Sequence, residues 1–148
     1  MFTNLLPSSS ILLSVSYRSF AESHYLKSFQ KKYKGKQWEK TQNSIFEDLK
    51  RLRVTNNKTQ RSSQIDELNH LNDYWLFKYD FRVAGTNESS KTSGNRIIGF
   101  IDNKFNKLEI LIIYGKIDLR KNQSETAFIY ETLKSNYPEI CKLLCIAN

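Results

Sequence analysis

The stretch that most constrains the fold runs from Arg96 to Leu119, RIIGFIDNKFNKLEILIIYGKIDL. Two β-branched, apolar runs, 96–102 and 108–114, flank the polar segment 103–107, a pattern that predicts a β-hairpin with a five-residue loop. Leu111, Ile112, Ile113 and Tyr114 follow one another without a polar break, so the second strand is expected to be covered on both faces, inside a sheet. The rest of the chain must supply that cover.

Upstream, Trp75, Phe77, Tyr79, Phe81 and Val83 alternate with Lys78, Asp80 and Arg82, which predicts a strand over 74–84 with an aromatic face turned inward. Its other side then presents Lys78 and Arg82 on an open sheet face. Ile11, Leu13, Val15 and Tyr17 alternate in the same way and predict a first strand. Between these strands the period changes. Tyr25, Leu26, Phe29 and Tyr33 recur at three and four, giving a helix over 21–33 that Gly35 ends. Trp38, Ile45, Leu49 and Leu52 form the apolar stripe of a second helix over 37–53. The turn joining them carries Lys31, Lys32, Lys34 and Lys36, the densest positive charge in the chain and equally a phosphate-binding cluster or a solvated turn. Residues 54–64 are polar loop, 65–71 suggest a short turn of helix, and 85–95, rich in Gly, Ser, Thr and Asn, form a flexible connection. A last helix opens at Ser124, Asn136 and Pro138 interrupt it, and 139–148 form an apolar tail.

These elements describe an α+β domain spanning 1–148, with residues 1–10 a loose lead-in. Its small antiparallel sheet of about four strands carries an N-terminal helical hairpin on one face, with a C-terminal helix following. The first strand adds to the three-stranded meander at an edge or in the middle. With 148 residues and 39% hydrophobic content, one core is expected. Lys and Arg total 23 against 15 Asp and Glu, a net charge of +8 that favours a polyanionic partner such as RNA or DNA. Cys141 and Cys145 are the only cysteines, and His24 and His70 the only histidines, too few for a zinc site or a disulfide framework. No metal or cofactor is expected, and the thiols fit a reducing compartment such as the cytoplasm. The apolar run from Ile11 is far shorter than the roughly 20 residues a membrane span needs. Residues 1–20, Ser-rich and free of acids, are also readable as a mitochondrial presequence.

Three short motifs carry a resemblance. Ser16-Tyr17-Arg18-Ser19-Phe20 runs from the first strand into a Lys-rich helix; Arg82-Val83 precedes Gly94-Asn95-Arg96-Ile97-Ile98 on paired strands; Tyr114-Gly115-Lys116 closes the last strand. Over about residues 11–135 this layout resembles the RelE/ParE family of toxin-antitoxin toxins. Two departures are the length of the 85–95 connection and Ile117, which stands where ribonuclease members often carry another basic residue. The resemblance implies a cytoplasmic, ribosome-dependent mRNA endoribonuclease, neutralised by a cognate antitoxin. Its site would use Arg82, Arg96 and Lys116 as an oxyanion cradle, with Tyr114, Tyr130 or Lys78 moving protons, while Lys31, Lys32, Lys34, Lys36 and Lys78 bind RNA. Core packing is the simpler reading of Tyr114, and Arg82 and Arg96 are also readable as cross-strand partners of Asp80 or Asp102. A gyrase inhibitor of the ParE kind and a non-catalytic basic RNA-binding module remain the alternatives.

Overall fold

The structure is a computed structural model and describes residues 12–33, 35–52, 54–55, 58–59 and 64–147. The expected lead-in at 1–10, most of the 54–64 loop, Arg53 and Lys34 lie outside the described residues.

Five strands form the main sheet in the order β1-β7-β6-β5-β4, while within the stretch expected as a polar loop β2 (Val54–Thr55) and β3 (Lys58–Thr59) pair antiparallel as a separate two-stranded sheet. Its centre is the antiparallel meander of β5 (Tyr74–Phe81), β6 (Asn95–Asp102) and β7 (Lys107–Gly115). The hairpin turn is 103–106, one residue tighter than expected, because Asn106 takes a left-handed φ of 54° and Lys107 already pairs with Asp102. Ile110 to Tyr114 are all buried, as the unbroken apolar run requires. β1 (Ser14–Tyr17) lies parallel to β7 at an edge, Ser14 opposite Lys107 and Tyr17 opposite Ile110. A parallel neighbour needs a long crossover, and the helical segments supply it.

Residues 65–71 are a strand, not the turn of helix that Ile65, Leu68 and Leu71 suggest at intervals of three. They form β4 (Ile65–Leu71), joined to β5 by a tight turn in which Asn72 has φ 54°. A bulge between Glu67 and Asn69 interrupts the period of two, so Ile65 reaches one core cluster and Leu68 and Leu71 the other. His70 stacks flat on Trp75, ring centroids 3.9 Å apart.

Helices cover both faces. One side receives a run of α1 (Ser19–Ala21), a π turn (Glu22–Leu26) and α2 (Lys27–Lys32), followed by α3 (Lys36–Lys50). Phe29, Trp38, Ile45 and Leu49 pack there on Trp75, Phe77, Tyr79, Phe81 and Val83, the aromatic side of β5. The other side carries α4 (Glu125–Asn136) and α5 (Pro138–Leu143), whose Ile129, Leu133, Tyr137 and Ile140 pack on Leu76, Ile98, Ile112 and Tyr114. The expected open basic face is therefore closed. Ser124 caps α4 by accepting from the Ala127 N–H at 3.0 Å, and Pro138 starts α5 where its missing N–H costs nothing. Arg18 ties the β1 edge to α5, pairing with Glu109 at 3.2 Å and Glu139 at 2.6 Å. Gly99 is required by packing: a Cβ there would come within 2.3 Å of Phe77 Cζ, whose ring lies across it from the neighbouring strand. No helix among the described residues is long and apolar enough to cross a membrane.

Candidate nucleic-acid interface

The strand register fixes one end of the sheet: Phe81 pairs with Asn95, and Asn95 with Gly115. Arg82 and Lys116 leave the sheet there, both exposed. The Lys116 N–H donates to Gly94 O at 2.8 Å, and Arg82 Nη1 donates to Thr86 O at 3.1 Å. The start of α3 is pinned to the same end, since Gln37 Nε2 donates to Ala84 O at 2.9 Å and the Ala84 N–H donates to Thr41 Oγ1 at 2.8 Å. That brings exposed Lys36, and exposed Lys31 and Lys32 at the end of α2, to the rim. Beside Lys116, Ile117 is 84% exposed. Five of the expected cationic residues thus share one end of the molecule.

A cleft of about 330 Å³ opens at this end. Its origin is topological. Pairing with β1 stops at Ile110, so residues 111–115 of β7 continue without a strand on that side. The helical run with its π turn lies alongside instead, and a π turn, which holds an extra residue, offsets the helix surface locally. His24, Tyr25, Ser28, Phe29 and Lys32 form one wall; Asn95, Ile113 and Tyr114 come from the strands, Asp118 and Leu119 from the chain after β7, and Phe128 from α4. Phe128 meets Tyr114 at 5.0 Å and Tyr25 at 6.5 Å between ring centroids, the latter edge-on. Asn95 is only 6% exposed, and its side-chain amide makes no hydrogen bond among the described residues. Gly115 leaves room beside it, since a Cβ there would stand 3.1 Å from Asp118 Oδ2 and 3.4 Å from Asn95 Oδ1.

Next to the cleft, under α4, the face expected to be open holds a buried ionic network. Arg96 Nε lies 3.0 Å from Asp80 Oδ1, in ion-pair contact although neither atom makes an aligned hydrogen bond. The rest of the guanidinium is engaged: Nη1 donates to Asn95 O at 3.0 Å and Nη2 to Lys91 O at 3.1 Å, which fastens the 85–95 connection to β6. Of the two cross-strand partners considered for Arg96, Asp80 is the one used. Tyr114 Oη donates to Glu125 Oε2 at 2.6 Å, and Lys78 Nζ sits 3.5 Å from Glu125 Oε1 and 3.8 Å from Asp66 Oδ2. Burial pushes the Asp80 carboxyl up against the pull of Arg96 and Lys78. Burial acts the same way on Glu125, but the Tyr114 hydroxyl with Lys78, Lys116 and Arg96 outweighs it and holds that carboxyl below its ordinary range. Tyr114 itself is driven far above an ordinary phenol, first by burial and then by Glu125.

The structure thus separates the sequence-derived site residues. Lys31, Lys32, Lys36, Arg82 and Lys116 lie at the cleft end, with Lys32 in the cleft lining; Arg96 and Lys78 belong to the network beneath α4, and Tyr114 joins that network while also walling the cleft. Tyr130 donates weakly to Leu68 O at 3.4 Å, away from the cleft. Sequence reasoning missed Asn95, Asp118 and Phe128 as cleft walls and Glu125 as the hub of the network. Asn95 had a signal, as part of the Gly94-Asn95-Arg96 motif, but nothing local shows that its amide makes no hydrogen bond among the described residues. Comparison with protein-family models, curated proteins and solved structures finds no match.

Proposed function

We propose that this chain is a toxin of the RelE/ParE kind that engages mRNA at the ribosome in the cytoplasm and cleaves it without a metal, held in check by an acidic antitoxin. The observation that carries this reading is the gathering of Lys31, Lys32, Lys36, Arg82 and Lys116 at one end of the sheet, where a cleft walled by Tyr25, Tyr114 and Phe128 opens with Lys32, alone of the five, in its lining. Cations hold phosphates and release counterions, while aromatic walls accept unstacked bases, the combination single-stranded RNA requires. The strand, helical hairpin and meander on which the resemblance rests follow in that order in the fold, with β4 added before the meander and α4 and α5 over the face the resemblance leaves open.

The chemistry asks little of the protein. A 2′-hydroxyl attacks the adjacent phosphorus, the 5′-oxygen leaves, and positive groups stabilise the phosphorane. Arg82 and Lys116 are exposed and suited to that charge. His24 and Asp118, both exposed on the cleft wall, are the titratable groups placed to carry protons. A second reading has its own support: Arg96 and Tyr114 are buried and engaged, which favours an RNA-binding module without cleavage.

Cell-free translation with mRNA 5′ ends read by primer extension separates the two. New ends that need ribosomes and vanish with Lys116→Ala are the expected result. Intact mRNA, with RNA retention that weakens as salt rises, would replace cleavage by passive binding. DNA breaks with translation unimpaired would point to gyrase.

A further inference from the structure

We propose that the cleft between the π turn and α4 is a base-binding subsite that accepts one unstacked adenine nucleotide. The inference rests on the RNA-directed reading and names the part of the RNA this cleft would take. At about 330 Å³ the cleft lies at the small end of the range typical of ligand sites, about 300–1,000 Å³, suited to a single nucleotide.

The deciding group is Asn95. Its amide is not sealed in the core but reaches the cleft, where a ligand can replace water as its hydrogen-bond partner. Asn95 is 6% exposed, lines the cleft and has no side-chain partner among the described residues. An amide offers one donor and one acceptor side by side, the complement of the adenine N6 and N7 edge. On that same N7 edge guanine presents two acceptors, O6 and N7, which suit arginine instead, so the adenine preference applies to reading of the N7 edge. The half-buried rings of Tyr25 and Phe128 supply an apolar wall for the base, and exposed Lys32 supplies a cation for its phosphate. Gly115 keeps the space beside Asn95 open. These features come from four separate segments of chain, and the end of β1 at Tyr17 is what makes room between them.

The test is titration of the full chain with adenosine 5′-monophosphate, followed by amide chemical shifts, beside parallel titrations with guanosine 5′-monophosphate and ribose 5-phosphate. Shifts confined to cleft residues, with adenosine monophosphate bound at least about tenfold more tightly than ribose 5-phosphate, are expected for a stacked base. Asn95→Asp should remove the preference for adenine over guanine. Lys32→Ala, on an exposed position that does not endanger folding, should weaken all the phosphate-bearing probes alike and leave the base preference in place. Equal binding of adenosine monophosphate and ribose 5-phosphate, or no cleft shifts at millimolar nucleotide, overturns the proposal. If Asn95→Asp does not fold, Phe128→Leu stands in, with about a tenfold loss for the nucleotides and none for ribose 5-phosphate expected. Failure here is distinct from failure of the functional reading: ribosome-dependent cleavage without nucleotide binding removes only the subsite, and nucleotide binding without any effect on RNA removes only the toxin.

Discussion

Replacing Arg96 by alanine is expected to destabilise the fold strongly before it reveals anything about catalysis. The guanidinium is 7% exposed at the side chain, faces Asp80 at 5%, and holds the 85–95 connection through Asn95 O and Lys91 O. Removing one partner of a buried ion pair leaves the other charge unpaired, a cost of about 3–5 kcal/mol. Each carbonyl hydrogen bond lost adds to it, although Ser90 O and Lys91 O lie in a partly solvated turn that water can satisfy. Against a total stability of about 5–15 kcal/mol this is a large fraction, and for a chain of this size it corresponds to a fall in Tm of roughly 6–20 °C. Urea denaturation read by circular dichroism measures it directly. The double variant Arg96→Met with Asp80→Leu removes both charges and keeps apolar volume, so it should recover most of the loss, and the double-mutant cycle should give a coupling well above 1 kcal/mol. A single-variant cost below about 1 kcal/mol, or a double variant no better than the sum of the singles, would refute the view that Arg96 is a buried structural clamp.

Tyr114→Phe deletes the 2.6 Å hydrogen bond to Glu125 and should cost about 1.5–3 kcal/mol in urea unfolding, as expected for a hydrogen bond to a charged group. Because the folded Glu125 carboxyl lies below its ordinary value, its contribution is present above the unfolded pKa and disappears as pH falls through the folded one; Glu125→Gln should flatten that acid limb in urea midpoints taken below about pH 5. Asp80, whose pKa is raised, acts with the opposite sign, so Asp80→Asn should retain or increase its relative stability as pH rises past the folded pKa. Gly99→Ala places a Cβ 2.3 Å from the Phe77 ring and should destabilise by about 1–3 kcal/mol or more, with partial relief in the double variant carrying Phe77→Leu. Substituting Lys32, Lys36, Arg82 or Lys116 singly by alanine should reduce the slope of log affinity against log salt by about 0.7 for single-stranded RNA; an unchanged slope in all four would place the nucleic-acid surface elsewhere.

Much of the layered fold is legible in the sequence because its signals are local. The alternation of Trp75, Phe77, Tyr79, Phe81 and Val83 specifies a strand and the face it buries, and both aspects appear in the core against Phe29, Trp38 and Leu49. The run Leu111 to Tyr114 specifies a strand covered on both sides, and the spacing of Trp38, Ile45 and Leu49 specifies a helix and its apolar stripe. Gathering Lys31, Lys32 and Lys36 near Arg82 and Lys116 follows from the order of elements once the meander is known.

What depended on tertiary structure was every feature set by a partner distant in sequence. A bulge at Glu67 to Asn69 disguises β4 as a helical period, and only pairing with β5 reveals the strand. Lys78 and Arg96 read as exposed cations because no local rule places Glu125, 29 residues beyond Arg96, on top of them. The cleft exists because β1 ends opposite Ile110 while β7 continues to Gly115, a difference in length between two strands about 90 residues apart in the chain. Periodicity specifies which side of a residue faces inward; which charge it meets there, and where a gap is left, is decided only when the layers close.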